Sequence, residues 1–83
     1  MFINRSKNGR NNVCGENIAR YRKELNPPVS QRAFADLLQL EGVDLMKNAI
    51  QRIESGQRFV TDIELVAIAK VLHCTLDDLV QPQ

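Results

Sequence analysis

Apolar residues recur along this chain at the three- and four-residue spacing of helices, and residues that start or stop helices bracket each run. Ile18, Tyr21, Arg22 and Leu25 fall at i, i+3, i+4 and i+7, which predicts a first helix from about Glu16 to Leu25. Asn26-Pro27-Pro28 ends it, because a residue preceding proline is pushed out of α geometry. Ser30 offers a side-chain oxygen to cap a second helix, Gln31 to about Leu40, whose inner residues are Phe34, Ala35, Leu37 and Leu38. Gly42 supplies the left-handed residue that commonly closes a helix.

The third helix lies within "GVDLMKNAIQRIESG", residues 42–56. Ala49, Ile50 and Ile53 keep the helical period, with Leu45 or Met46 one turn earlier, and Gly56 is the closing glycine. Thr61-Asp62-Ile63-Glu64 fits a capping box and starts a fourth helix through about Leu72, with Leu65, Ile68, Ala69 and Leu72 inward. Thr75 caps a short fifth helix ending near Leu79. No stretch alternates like a strand between hairpin turns. The expected class is all-α, a compact five-helix bundle in residues 14–83, preceded at 1–13 by a flexible arm carrying Arg5, Lys7 and Arg10.

Composition bounds this picture without changing it. A chain of 83 residues has room for one small domain. No apolar run reaches the roughly 18–20 residues of a membrane span, and the start lacks the apolar stretch of a signal peptide. No membrane association is therefore expected, and the cytoplasm is the expected location. Cys14 and Cys74 are isolated and read as reduced, packed thiols, and His73, late in a helical pattern, has no catalytic company. Neither a metal nor a cofactor is expected, nor an enzyme, since no nucleophile, base and orienting group assemble. Net charge is +1, yet it is unevenly placed: the balance is +4 through Arg58 and −3 from Phe59 onward. One end of the chain is thus better suited to anions than the other.

The outer side of the third helix adds candidate chemistry. Lys47, Asn48, Gln51 and Arg52 are long and polar, and 48, 51 and 52 are i, i+3 and i+4 neighbours. Asn or Gln can bond adenine in a bidentate way, and Arg or Lys suits guanine. Taken alone, an ordinary solvated face has the same composition. The pattern gains weight from "SQRAFADLL", "AIQRIESGQR" and "DIELVAIAKVLHCTLDDLV", which occur in that order. Together, over about Glu16 to Val80, they resemble the phage-repressor/Cro (Xre) family of DNA-binding domains.

The resemblance implies a lambda-repressor-like domain whose helix-turn-helix is formed by helices two and three, the latter entering the major groove. It places base contacts at Lys47, Asn48 and Arg52, beside which Gln51 shares the same face. Gln31, the first residue of its helix, sits where free amides favour a phosphate. The matching glutamine of the family touches the DNA backbone and braces the recognition helix. Arg32, Ser55 and Arg58 are further phosphate candidates. The family also pairs an arginine matching Arg22 with a glutamate matching Glu54, a structural ion pair rather than a contact with DNA.

Two departures stand out. About two extra residues lie between Arg22 and Gln31, and about two between Gly42 and Gly56. The second set lies beside the recognition helix, where either the turn is longer and the helix starts near Met46, or Asp44 caps a longer helix. Family spacing tips the balance to the longer turn. The expected function is sequence-specific regulation of transcription, with repression by a symmetric homodimer on double-stranded DNA and Leu79 and Val80 as dimer candidates. No small-molecule ligand is expected. A protein-interaction module on the same fold, of antitoxin or anti-repressor type, is the alternative.

Overall fold

The computed structural model describes residue 6 and residues 8–82. Its helices are α1 (Gly15–Glu24), α2 (Gln31–Leu40), α3 (Lys47–Glu54), α4 (Asp62–Leu72) and α5 (Leu76–Val80), and no strand occurs among the described residues. Three of the five start on a hydroxyl that accepts a bond from a first-turn amide: Ser30 from Ala33, Thr61 from Glu64 and Thr75 from Asp78. In α4 and α5 the third helical residue, Glu64 or Asp78, returns the bond to the cap amide. Cys14, the residue before α1, does not cap it; the Asn12 carboxamide oxygen accepts from the Gly15 amide at 2.8 Å instead.

Helices α2, α3 and α4 end the same way. The amide one residue past the turn reaches back to the carbonyl five residues earlier: Val43 to Leu38, Gln57 to Arg52 and Cys74 to Ala69. The turn residue has positive φ in each, 82° at Gly42 and 86° at Gly56, but the third is His73 at 56°. A histidine there is uncommon, although its type is enriched among non-glycine residues with positive φ.

The start of α3 decides between the two models of its entry. The helix begins at Lys47, behind an extended Met46, and Asp44 is not its cap. Residues 43–46 alternate instead, with Val43 and Leu45 buried and Asp44 and Met46 exposed. Burying two such side chains contributes roughly 1.5–3 kcal/mol each, against about 1 kcal/mol for an aspartate cap. The longer turn follows from that difference. Of the two apolar candidates just before α3, Leu45 and not Met46 is the core residue.

The core joins Ile18 of α1, Phe34 and Leu38 of α2, Ile50 and Ile53 of α3, Ile68 and Leu72 of α4, and Leu79 of α5. Tyr21, Leu25, Ala35, Ala49 and Leu65 pack partly buried around it. Leu37 corrects the inward set of α2: it lies at the rim, 37% exposed, because Phe34 and Leu38 already fill the contact with α3 and α4. Leu79 corrects the dimer candidates, since it is fully buried; Val80 is 41% exposed. Asn17, also buried, donates to the Leu79 and Gln81 carbonyls and so ties α5 to α1. The result is a compact all-helical globule with a Cα radius of gyration of 12.2 Å. No helix among the described residues is long and apolar enough to cross a membrane.

The segment before α1 differs from the free basic arm expected of residues 1–13. Arg5 and Lys7 lie outside the described residues, but Arg10, Asn11 and Asn12 are hydrogen-bonded to the end of α3 and the turn after it. Unpaired helix carbonyls hold this segment, a constraint that its polar composition conceals. Gly15 lets α1 approach: a Cβ there would collide with the backbone oxygen of Ile53. Helix propensity alone would make Gly15→Ala stabilising by up to about 1 kcal/mol. The collision reverses the sign, and urea unfolding of Gly15→Ala should show a loss of about 1–3 kcal/mol. An unchanged or raised midpoint would contradict the close approach.

Candidate functional site

The site is built on α3, eight residues long and too short to hold its shape alone. Ile50 and Ile53 fix its inner side, each 1% exposed. Lys47, Asn48, Gln51 and Arg52 are all exposed on the other side. None of these four side chains has a hydrogen-bond or ion-pair partner among the described residues. Two shallow depressions flank them and meet at Asn48: one is lined by Gln51, Arg52, Ser55 and Gln57, the other by Arg32, Asp36, Asp44 and Lys47.

Glu54, the last residue of α3, is its anchor. Its carboxylate accepts from Arg22 Nε at 2.8 Å and Arg22 Nη2 at 2.9 Å, a bidentate pair with both side chains only 9% exposed. Gln31 Nε2 donates to the same carboxylate at 3.0 Å, and Arg22 Nη1 donates to the Val29 carbonyl at 2.8 Å. One carboxylate therefore links α1, the start of α2 and the end of α3. Gln31 reaches it from the first turn of α2, half-buried, while Arg32 beside it is exposed and has no ion pair among the described residues.

Ser55 and Arg58 are placed differently from the groups on the outer face. Ser55 is exposed and its hydroxyl donates to the Arg52 carbonyl at 3.2 Å. Arg58 is spent on α4: Nη1 and Nη2 meet the two Glu64 carboxylate oxygens at 2.9 and 3.0 Å, and Nη1 also donates to the Phe59 carbonyl. The guanidinium holds the Glu64 carboxyl below its ordinary range, helped by the Thr61 amide. Arg58 thus braces the connection from α3 to α4, and its charge is already offset.

Arg10, Asn11 and Asn12, expected to belong to a flexible arm, are instead built against the end of α3. Asn12 Nδ2 donates to the carbonyls of Ile53 at 3.0 Å and Arg58 at 2.8 Å, while Arg10 Nη2 donates to that of Glu54 at 2.7 Å. The Asn11 amide and Nδ2 reach the carbonyls of Gly56 and Gln57, both at 2.8 Å. Arg10 also lies over Gly56, where a Cβ would come within 2.6 Å of its guanidinium carbon, and 3.4 Å from Glu16. Two asparagines and an arginine between Gly9 and Val13 carry no periodicity, so only the unfilled carbonyls of a short helix could have pointed to them.

The remaining chemistry is sparse. Both cysteines are free, and burial pushes the thiols of Cys14 and Cys74 up from their ordinary range. Among the described residues no three His, Cys, Asp or Glu side chains could hold a metal ion.

The Arg22–Glu54 pair gives a sharp test. Arg22→Met leaves the Glu54 carboxylate buried with only Gln31, which should cost roughly 3–5 kcal/mol in urea unfolding. Replacing both residues with methionine should recover part of that loss, because no buried charge is then left unpaired. No loss in the single variant would show that the pair does not anchor α3.

No protein-family model, curated protein or solved structure matches this chain.

Proposed function

We propose that this protein is a sequence-specific DNA-binding regulator of transcription, a repressor that occupies its operator as a symmetric dimer. One observation carries the reading: α3 keeps four long polar side chains exposed and without partners among the described residues, while its other side and its end are fixed to the rest of the fold. Side chains that are neither packed nor paired, on a helix held rigid, suit bidentate bonding to base edges in a major groove. The resemblance of residues 16–80 to the phage-repressor/Cro family supports the same assignment, with α2 and α3 as the helix-turn-helix.

In this reading Asn48 and Gln51 suit adenine, and Lys47 and Arg52 suit guanine. Gln31, Arg32 and Ser55 are the phosphate contacts that set the register, the first two beside the free amides that open α2. Arg58, committed to Glu64, contributes by fixing the chain after α3. Asp36 and Asp44 lie beside Arg32 and Lys47, so attraction for phosphate is modest and base contacts must supply much of the affinity. A second reading, a protein-interaction module, draws on the apolar side chains left in solvent, with Leu40 at 82%, Ile63 at 74% and Val66 at 56% exposure.

Titration into mixed genomic DNA fragments at low and moderate salt tests the proposal. A subset of fragments should be retained, with affinity falling only modestly as salt rises, because few cations meet phosphate. Arg52→Ala should lose about 1–3 kcal/mol of discrimination at one base pair of the selected site. No retention of any fragment at low salt would sink the DNA-binding reading and favour the interaction module. Equal retention of all fragments would keep DNA binding but remove sequence reading by α3.

A further inference from the structure

The last four carbonyls of a helix have no partner within it. In α3 these belong to Gln51, Arg52, Ile53 and Glu54, and each one is filled. Gln51 accepts from the Ser55 amide, and Arg52 from the amides of Gln57 and Arg58. Ile53 accepts from the Gly56 amide and from Asn12 Nδ2, and Glu54 accepts from Arg10 Nη2. The closing turn thus serves the first two, and a segment more than forty positions away serves the last carbonyl alone and shares the third.

Asn12 is built into this junction from both ends. Its two amide hydrogens go to Ile53 and Arg58, on either side of the turn that closes α3, while its oxygen accepts the first amide of α1. One carboxamide therefore locks the start of α1, the end of α3 and the turn between α3 and α4. Arg10 brings positive charge to the negative end of the α3 dipole. Its guanidinium lies over Gly56, which has both a positive φ and no room for a Cβ. The Glu54 side chain is held by Arg22 and Gln31 and its carbonyl by Arg10, so the end of α3 is gripped from two sides.

We infer that Arg10, Asn11 and Asn12 are positioning residues for sequence reading: they set the orientation in which α3 presents Asn48, Gln51 and Arg52. This inference rests on the DNA-binding reading above. Bidentate base contacts demand a fixed side-chain geometry, whereas attraction to phosphates tolerates small displacements. Loosening the end of α3 therefore costs discrimination between sequences before it costs binding as such.

The test compares affinities for two duplexes: one selected by the wild-type protein from a random-sequence pool, and one of the same composition with scrambled order. Asn12→Ala and Arg10→Met should each lower the ratio of selected to scrambled affinity by about three- to thirtyfold, the range expected of residues that act through packing rather than contact. Asn12→Ala changes no charge, so its effect cannot come from lost phosphate attraction. Thr75→Ala controls for stability: it removes the cap of α5, which packs on α1 and α4, and should leave the ratio unchanged. A purely structural role for Asn12 would lower the folded fraction and reduce both affinities together, with the ratio intact. That result, or an equal fall in the ratio for Thr75→Ala, would overturn the inference. A wild-type protein with no preference between the two duplexes would instead refute sequence reading itself, and the positioning role with it.

Discussion

The whole arrangement depends on one carboxylate. Glu54 sits at the end of an eight-residue helix that cannot persist alone, and its two oxygens receive a bidentate arginine from α1 and a glutamine from α2. Two isoleucines set how deep α3 lies, but burial is non-directional and leaves rotation and tilt weakly determined. Directional bonds at the far end supply what burial does not. A buried ion pair of this kind adds little net stability compared with an apolar replacement. Its contribution here is orientational, since a planar guanidinium fork donates two parallel bonds to a carboxylate only in a restricted geometry.

Much of this was legible in the sequence, for physical reasons that differ by element. The hydroxyl caps and the capping box of α4 are local, so Ser30, Thr61 and Thr75 could be read directly. The positive φ of Gly42 and Gly56 was legible because few other residues adopt it without strain. Arg22 stood out as a charge on an apolar face. The entry to α3 was harder, because "VDLM" satisfies a capping rule at Asp44 and a burial rule at Val43 and Leu45 at once. Only the energies separate them. Arg10, Asn11 and Asn12 were opaque for a different reason: their partners are backbone carbonyls, which leave no trace in side-chain patterns. Arg58 reads as a free cation on a terminal turn, and Glu64 reads as a cap; that they meet is a property of the fold.

Charge is distributed to match these structural demands. Arg10, Arg22 and Arg58 are all committed to holding α3 or the chain beside it, and each lies near a carboxylate, Glu16, Glu54 or Glu64, that offsets its charge. In the two depressions beside α3 the cations are Arg32, Lys47 and Arg52, partly offset by Asp36 and Asp44. A face so weakly cationic attracts phosphate weakly. In the proposed function it favours selectivity, because hydrogen bonds to base edges then account for a larger share of the affinity.

In the proposed function the outer side of α3 is the binding surface. Heteronuclear NMR of the labelled protein, titrated with the duplex it selects, tests this residue by residue. The largest shifts should fall at the amides of residues 47–52 and at the side-chain nitrogens of Asn48, Gln51 and Arg52, with α5 little affected. Shifts confined to Leu40, Ile63 and Val66, with α3 unmoved, would contradict it and place the working surface on those exposed apolar side chains instead.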